Sequence, residues 1–475
     1  MAELWRLTAR EMVDLLRRRE VRPSEAVEIA ADRIAATNGA VNAMVTLCLE
    51  RAQDVAKHLE QKGFPEDPGP GYLYGLPISV KDLNDVAGVR TTLGSPIYAD
   101  NIASESDLMV QALEGNGAIV VGKSNTPEFG AGANTFNEVF GATLNPWHTG
   151  MNCGGSSGGA AVNLATGQVW LATGSDLGGS LRIPASFCSV IGFRPSPGRC
   201  PHGTTTTALP FNDLPVVGPM ARNVGDVALM LDAMAGQYAR DPLSMPPPVE
   251  PFQAAAGRQT PPRRVGWSAT LGVAPVEEEV ARICEAAARR FSDLGTQVEE
   301  ACPDLAGAQE MFQVLRAAIF IASHRGHMEN HRDQLKPEVI WNYEKGAALT
   351  ADEVAAAQLA RGRIYGNMCE FFETYDLLLT PTVMSPPFDV NIRYLTEVAG
   401  VSFDNYVDWL MHTFVITPTS CPAVSVPCGF TESGLPVGLQ IVAPPRGEAA
   451  LLSAAAAFEA VLGLAAEVPI DPRVK

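Results

Sequence analysis

The sequence predicts an α/β fold in which helices flank a mixed β-sheet core. The chain has 475 residues, of which 46% are hydrophobic and 19% charged, a globular composition with enough length for a large core. Short apolar segments with strand character alternate with amphipathic helical segments along the chain. The order strand, helix, strand over 264–300 favours a parallel sheet, because parallel strands need a crossover connection.

We expect a single domain over 1–475 that consists of five consecutive segments. The stretch 242–262 is rich in proline, which is typical of a connector. The segments are N-terminal helices (1–62), a core (63–241), the Pro-rich connector (242–262), a variable α/β and helical region (263–375) and the C-terminal part of the core (376–475).

Apolar periodicity, helix starts and turn signals predict the individual elements. Residues 1–62 are predicted to be helical, and further helices are predicted at 104–114, 224–235, 276–293, 307–325, 351–373, 404–413 and 447–461. Strands are predicted at 77–81, 118–121, 168–173, 264–268, 297–300, 376–380, 423–427 and 437–442. Residues 125–150 are predicted to be rich in loops.

Charge and cysteine usage restrict the partners and the compartment. The formal net charge of −18 disfavours nucleic acid and anionic membranes, because both require clusters of Lys and Arg. Nine scattered cysteines without a CxxC pair favour free thiols in a reducing compartment. The N-terminus predicts a charged amphipathic helix instead of a signal peptide, and no apolar run reaches the ~18 residues of a membrane span. We therefore expect a soluble cytoplasmic protein.

Two glycine-rich turns between Cys153 and Arg194 carry the candidate nucleophiles. The first, CGGSSGG, presents Ser156 and Ser157, and the second, GSDLGGSLRIPA, presents Ser180, 24 residues after Ser156. Because glycine has no β-carbon, such turns can approach each other and a ligand closely. We interpret the stretch as holding a serine nucleophile, its proton relay and its oxyanion hole.

The candidate base is Lys81, on a predicted strand whose apolar residues Ile78 and Val80 share the other face. A conventional interpretation is a lysine that pairs with Asp82 or Asp85. The alternative is a Ser–Ser–Lys relay, in which burial makes the neutral amine accessible and a bridging serine carries the proton. The amides of Leu177, Gly178 and Gly179 could then bind the tetrahedral oxyanion.

A His-dependent hydrolase that uses Ser156 remains open at this point. Residues 154–158 also match GxSxG, and several histidines follow in the sequence. That elbow needs a strand directly before the serine, whereas the residues before Ser156 predict a loop. It would also leave Lys81 and the second glycine-rich turn unexplained.

Two further motifs are interpreted as structural. Residues 117–124 match the P-loop pattern, but the apolar residues within them predict a strand and not a loop that faces phosphate. His324, His327 and His331 are spaced for one helix face but lack an accompanying carboxylate or cysteine motif, so we interpret them as a polar face. No metal site is expected.

At this point the chain resembles the amidase signature hydrolases over nearly its whole length. The resemblance rests on motifs in the family's order and on the 24-residue serine spacing. The motifs are YGLPISVKD (74–82), VGKSNTPEF (121–129), CGGSSGG (153–159), GSDLGGSLRIPA (174–185), GPMAR (218–222), LLLTPT (377–382) and LPVGLQIV (435–442).

The resemblance implies a role for each matching residue. Lys81 would be the general base, Ser156 the bridging serine on a cis peptide, and Ser180 the nucleophile that forms an acyl-enzyme. Further residues would form the oxyanion hole, support the nucleophile turn or lie over the acyl site; they are Leu177, Gly178, Gly179 and Ser180 (oxyanion hole), Ser157, Asp176 and Arg182 (support), and Gly130, Ala131 and Gly132 (acyl site). No metal or cofactor would be required.

The substrate expected from the resemblance is a small or aryl amide, with esters and carbamates (urethanes) suited to the same chemistry. The family also includes the glutamine-dependent A-type component of an amidotransferase, which typically has a DEFAMGSS-like stretch where this chain has PEFGAGAN. We therefore favour a stand-alone amidase, with a homodimer possible. The region 263–375 would shape the substrate pocket, although core packing explains its apolar residues equally well; they include Met311, Phe312, Ile319, Phe320 and Trp341.

Overall fold

The computed structural model describes residues 3–203 and 209–474. Residues 1–2, 204–208 and 475, which fall in the predicted N-terminal, core and C-terminal segments, lie outside the described residues. The helices are α1 (Ala9–Arg17), α2 (Pro23–Val41), α3 (Leu49–Lys62), α4 (Leu108–Gly115), α5 (Gly158–Ala165), α6 (Arg182–Cys188), α7 (Val224–Met234), α8 (Phe252–Arg258), α9 (Glu278–Arg289), α10 (Ala308–Asn330), α11 (Pro337–Ala347), α12 (Ala351–Thr374), α13 (Met411–Phe414) and α14 (Glu448–Leu462).

The strands alternate with these helices along the described chain. They are β1 (Met44–Leu47), β2 (Pro77–Lys81), β3 (Ile119–Ser124), β4 (Phe136–Asn137), β5 (Gly141–Ala142), β6 (Leu171–Asp176), β7 (Ile191–Arg194), β8 (Val216–Ala221), β9 (Arg264–Trp267), β10 (Gln297–Glu300), β11 (Leu377–Pro381), β12 (Glu397–Val398), β13 (Val401–Ser402), β14 (Ala423–Phe430) and β15 (Pro436–Val442).

One sheet of eleven strands runs through the described chain in the order β1-β3-β2-β6-β8-β7-β14-β15-β11-β9-β10. Strand β2 is parallel to β3 and β6, and β9 is parallel to β10 and β11, whereas the remaining pairs are antiparallel. The predicted mixed sheet with flanking helices is therefore confirmed. The parallel β9–α9–β10 unit is the strand, helix, strand run expected at 264–300.

Side chains alternate between the two faces of this sheet, as the period of a strand requires. Ile78 and Val80 belong to a large apolar cluster on one face, together with α7, α9 and α14. Two other clusters cover the opposite face: one around α5 and one around α10, α12 and α13. Lys81 is the last residue of β2 and alternates away from Ile78 and Val80. It therefore lies on the face where those two clusters meet.

The structure corrects the predicted helical character of 1–62. The segment contains strand β1, which pairs antiparallel with β3 at one end of the sheet. Helix α2 ends because Asn42 takes a left-handed conformation with φ 50°. The Asn38 side chain then accepts hydrogen bonds from the amides of Ala43 and Met44, which turns the chain toward the sheet.

Four helices were not predicted, and one was placed too early. Helix α8 lies inside the Pro-rich connector, where Asp232 accepts hydrogen bonds from the first amides of the helix and Phe252 is buried. Helices α5, α6 and α11 were also missed. The helix expected at 404–413 is a short 3-10 turn at Asp408–Leu410 followed by α13.

Candidate active site

The Lys81 ammonium group lies among three serine hydroxyls. Its Nζ atom is 2.7 Å from Ser156 Oγ, 2.9 Å from Ser157 Oγ and 3.0 Å from Ser175 Oγ. The residue has no exposed surface, and its backbone amide donates to Thr173 Oγ1 on the neighbouring strand β6. The structure thus brings the predicted base together with the predicted bridging serine.

Burial lowers the pKa of Lys81 from 10.5 to about 7, and the Asp176 carboxylate opposes the shift only in part. The physical cause is desolvation, which disfavours the charged ammonium when no carboxylate contacts it. An amine with this pKa is neutral in a substantial fraction of molecules near pH 7. Lys81 can therefore accept a proton at that pH, which an exposed lysine does rarely.

The alternative interpretation of Lys81 as a partner of Asp82 or Asp85 is wrong. Asp82 instead forms a buried ion pair with Lys123 Nζ at 3.3 Å. Lys123 also donates to the Asn84 carbonyl and to Thr91 Oγ1, both at 2.7 Å. The glycine, lysine and serine of the P-loop pattern lie in strand β3, so this segment is the predicted strand and no phosphate loop.

The two glycine-rich turns contact each other directly. The Ser157 amide donates to the Ser180 carbonyl at 3.2 Å, and the peptide bond between Gly155 and Ser156 is cis, as the resemblance implies. Ser180 is partly exposed, and its hydroxyl has no hydrogen bond within the described part of the chain.

The turn before Ser180 is built on the Asp176 carboxylate at the end of β6. This carboxylate accepts hydrogen bonds from the amides of Gly179 and Leu181 at 3.0 and 3.2 Å. It also accepts two bonds of 2.9 Å from the Arg182 guanidinium and one of 3.2 Å from Arg194. Burial by itself would raise the pKa of Asp176, but the two guanidinium groups hold that pKa far below its usual range.

The amides predicted for the oxyanion hole differ in availability. Leu177 and Gly178 donate to no backbone or side-chain acceptor in the described chain, whereas the Gly179 amide is already bonded to Asp176. Gly179 has φ 114°, and a β-carbon there would collide with Thr413. The Thr413 hydroxyl donates to the Gly178 carbonyl at 2.7 Å, which fixes the orientation of this peptide.

The segment expected over the acyl site lies against Ser156. A β-carbon at Gly130 would stand 3.3 Å from Ser156 Oγ, and Gly130 has φ 68°. Ala131 is buried and Gly132 follows with φ 124°. A side chain at position 130 would therefore crowd the Ser156 hydroxyl.

Ser175 is a candidate site residue that sequence reasoning missed. It lies at the carboxyl end of β6, and Lys81 lies at the carboxyl end of β2, its parallel neighbour. Adjacent parallel strands end at the same edge of a sheet, so a predicted pairing of these two strands would have placed Ser175 beside Lys81. The sequence predicted both strands but not which strands are neighbours.

The histidine stripe is part of an aromatic cluster. His327 Nε2 is 2.8 Å from the Tyr98 hydroxyl, its ring stacks on Phe129 at 4.9 Å, and His324 Nδ1 is 3.1 Å from His327 Nδ1. Burial lowers the pKa of His324 to about 3. Among residues 3–203 and 209–474, no three His, Cys, Asp or Glu side chains are grouped as metal ligands.

Two buried aromatic side chains pack against the turn before Ser180. Phe312 of α10 and Phe414 of α13 stack at 4.5 Å, and both lie within 4 Å of where a β-carbon on Gly178 would be. Of the apolar residues singled out in 263–375, Met311, Phe312 and Phe320 are buried. Of these three residues, Phe312 is the one whose ring lies beside the turn at Gly178.

Comparison with known proteins gives consistent matches. The family model described as Amidase matches residues 25–452. An acylamidase of Rhodococcus erythropolis is 36% identical, over 98% of this chain and 98% of that protein. The A subunit of the glutamyl-tRNA(Gln) amidotransferase from Moorella thermoacetica is also 36% identical, over 96% and 97%.

Solved structures agree with these relatives. A bacterial aryl acylamidase of the amidase signature family superimposes with a TM-score of 0.89 at 29% identity, covering 98% of this chain and 99% of the other. A 6-aminohexanoate cyclic dimer hydrolase gives 0.87 at 26% identity, with the same coverage. The fold and these matches define a hydrolase of carbon–nitrogen amide bonds. The chain belongs to the amidase signature family.

None of the described helices combines the length and apolar character that crossing a membrane requires.

Proposed function

We propose that this chain is a stand-alone amidase in which Lys81, Ser156 and Ser180 hydrolyse a small or aryl amide through an acyl-enzyme. The observation that carries the proposal is the environment of Lys81: a buried amine without a carboxylate partner among the described residues, 2.7 Å from Ser156 Oγ, with its pKa lowered to about 7. A buried lysine with this environment suits proton transfer better than structural pairing.

Acylation begins with attack of Ser180 Oγ on the carbonyl carbon. The Ser180 proton passes to Ser156 Oγ while the Ser156 proton passes to neutral Lys81 Nζ, so the nucleophile never ionises alone. The carbonyl π bond becomes an oxyanion. The lysinium proton then returns through Ser156 to the leaving nitrogen, the carbon–nitrogen bond breaks, and a neutral amine departs.

Deacylation repeats these transfers with water in place of Ser180. Water loses a proton through Ser156 to Lys81 as its oxygen attacks the ester carbonyl. Collapse of the second tetrahedral intermediate breaks the bond to Ser180, whose oxygen regains the proton. The products are a carboxylic acid and the restored hydroxyl.

Backbone amides of the turn would stabilise the oxyanion. Leu177 and Gly178 are the best placed because their N–H groups are uncommitted in the described chain, with Ser180 and Gly179 as further candidates. Ser157 and Ser175 hold the Lys81 amine, and Asp176 with Arg182 fixes the turn. Preorganised donors of this kind typically contribute about 10²–10³-fold to kcat each.

An apolar or aryl substrate is the favoured class, and the fully buried Phe312 and Phe414 rings support the turn at Gly178 from behind. The names of the acylamidase and the aryl acylamidase relatives agree with such a substrate. Esters and carbamates present the same carbonyl and are further candidates. A glutamine-releasing component of a larger complex is the alternative that the amidotransferase relatives keep open as members of the same family.

A substrate panel tests the proposal. Purified wild type would be assayed with a 4-nitroanilide, the matching 4-nitrophenyl ester, an aryl carbamate and glutamine, beside Ser180→Ala and a surface control, Ser402→Ala. We expect anilide hydrolysis by the wild type and the control and none by Ser180→Ala. Glutamine as the preferred substrate would favour the amidotransferase alternative. If Ser180→Ala remained fully active and the activity depended on a histidine, the hydrolase that uses Ser156 would be favoured.

A further inference from the structure

The loop of residues 130–132 determines how much space the Ser156 hydroxyl has. Gly130 is the residue that faces Ser156 Oγ, and a β-carbon there would also lie 2.9 Å from Leu83. The position of the loop therefore sets the space next to the Ser156 hydroxyl, and a displacement by about 1 Å would change how this hydroxyl is held beside Lys81. Misplacement of that size can reduce a rate by up to about 10²-fold.

Glu128 anchors one end of this loop. Its carboxylate is buried and accepts hydrogen bonds from Ser95 Oγ at 2.6 Å and from the Lys336 amide at 2.8 Å. The next residue, Phe129, donates its amide to the Leu93 carbonyl at 2.8 Å. The amides of Gly130 and Ala131 also donate to the carbonyls of Pro127 and Glu128, at 2.8 and 3.0 Å, so the loop entry is fixed and the carbonyl of its middle residue, Ala131, is left for another partner.

The side chain of Lys336 reaches that middle residue. Its Nζ atom donates a hydrogen bond to the Ala131 carbonyl, and it also lies 3.6 Å from where a β-carbon on Gly132 would be. Lys336 is the residue directly before helix α11. Apolar contacts between Ala131, Leu335 and Val339 bring the same two segments together.

The Lys336 ammonium has few alternative partners. Its residue is partly exposed, but the ammonium lies over the Phe136 ring at 5.6 Å, and burial lowers its pKa to about 8. The charged groups that face it are the carboxylates of Glu128 and Glu338 and the guanidinium groups of Arg393 and Arg316. Glu338 is engaged by Arg393, at 2.8 Å, and Glu128 by its own hydrogen bonds.

We propose that Lys336 is a positioning residue for the proton relay: by binding the Ala131 carbonyl it holds the 130–132 loop against Ser156. It touches neither substrate nor the reacting atoms and acts through the loop alone. The inference rests on the function proposed above, because it assigns to Ser156 the role of proton carrier. It also assigns a function to the start of helix α11, since Lys336 is the residue directly before it.

The test compares three variants with the wild type. Lys336→Met removes the ammonium and keeps the length of the side chain, and Lys336→Arg keeps a cationic donor. Lys345→Met is the matched control, because Lys345 lies on the same helix and its ammonium lies over the Trp341 ring, at 5.3 Å, away from the loop. For each, kcat and KM are measured with a small anilide, together with hydrogen–deuterium exchange of the amides in 129–133.

We expect kcat of Lys336→Met to fall about tenfold or more while KM changes less than about twofold, with faster exchange in 129–133. Lys336→Arg should recover most of the rate, and Lys345→Met should match the wild type. Should Lys336→Met fail to fold, Lys336→Arg and Lys345→Met decide: the arginine variant should show a small decrease in kcat with slightly faster exchange in 129–133, and the control should show neither. An arginine variant with faster exchange and unchanged kcat would contradict the proposal.

Two outcomes would overturn the proposal. Unchanged exchange in Lys336→Met would show that Lys336 does not hold the loop, and faster exchange with unchanged kcat would show that the loop does not position Ser156. If the wild type hydrolysed none of the amides tested, the proposed function would be wrong. The exchange data would then still show whether Lys336 holds the loop.

Discussion

At the scale of single residues, the two fully buried lysines Lys81 and Lys123 show how surroundings determine a role. Lys123 has a carboxylate partner, Asp82, at 3.3 Å, whereas the groups of the described chain within hydrogen-bond distance of the Lys81 amine are hydroxyls. An ion pair retains the charge of a buried lysine, and hydroxyls do so less effectively. Lys123 is accordingly a structural cation and Lys81 a candidate base.

This difference predicts opposite effects of the same substitution. Lys123→Met should lower the free energy of unfolding by about 3–5 kcal/mol, because Asp82 would be left as an unpaired buried charge. Lys81→Met should not lower the free energy of unfolding, because it removes a buried amine that has no counter-charge in contact, but it should lower kcat/KM by about 10³-fold or more. Urea unfolding and anilide hydrolysis measure the two effects. An active Lys81→Met enzyme would exclude Lys81 as the base.

The lowered pKa of Lys81 predicts a pH profile. The amine must be neutral to accept a proton, so kcat/KM should rise about tenfold per pH unit below about 7 and level off above it. The folded pKa lies below the unfolded value of 10.5, so the unfolded state binds an additional proton between these values. This group therefore disfavours folding at pH 7, and the cost diminishes as pH rises to 10.5. A profile that falls through pH 7 would contradict the assignment.

Single residues were predictable where a motif names them. The serines and Lys81 stand in recognisable stretches, and the structure brings Lys81, Ser156 and Ser157 into contact. Ser175 was not predictable, because its role depends on which strand lies next to β2. Nor could the sequence show that the Gly179 amide is committed to Asp176, since that bond depends on how the turn folds.

At the scale of elements, the turn between β6 and α6 depends on one buried carboxylate. Asp176 accepts hydrogen bonds from two amides of the turn and from the guanidinium groups of Arg182 and Arg194. Arg182 extends the network to the Thr413 carbonyl at 2.9 Å, on α13. The position of Ser180 thus depends on the contacts of Asp176 in β6 with Arg182 in α6 and, through Arg182, with α13.

Asp176→Asn should therefore reduce both stability and activity. The neutral amide leaves two buried guanidinium groups without a counter-charge, which costs about 3–5 kcal/mol. The free energy of unfolding in urea measures the loss. Asp293→Asn is the control, because its ion pair with Arg290 is half exposed and is worth less than about 1 kcal/mol. Equal stability of the two variants would contradict the role given to Asp176.

Elements with a strong local pattern were predictable, and those made by long-range contacts were not. Strands β2, β10 and β15 match their predictions to within a residue at each end. Strand β1 forms only because β3 offers a partner, and α8 begins where Asp232 of another helix caps it. Helix α11 begins at Pro337, in a region without clear apolar periodicity.

At the scale of the whole molecule, strand order links segments that are distant in sequence. Strands β14 and β15, from the C-terminal segment, lie between β7 of the core and β11. Strand β11 is in turn followed by β9 and β10 of the 263–375 region. Any cut along the predicted segment limits would leave strand edges unpaired within the sheet. The predicted single domain is consistent with this order and remains a prediction.

The order of the sheet predicts one unfolding transition. Scanning calorimetry should give a van't Hoff enthalpy close to the calorimetric enthalpy, and loss of anilide hydrolysis should coincide with loss of near-UV circular dichroism. Two separated transitions, or an N-terminal fragment that ends before 263 and folds alone, would contradict a single cooperative domain.

The proposed mechanism is tested most directly by asking which serine reacts. Wild type, Ser180→Ala, Ser156→Ala and Lys81→Ala would be treated with a fluorophosphonate probe and analysed by intact and peptide mass. The mechanism predicts one adduct, on Ser180, that is absent from Ser180→Ala and forms more slowly in the other two variants. An adduct on Ser156, or labelling that does not depend on Lys81, would contradict it.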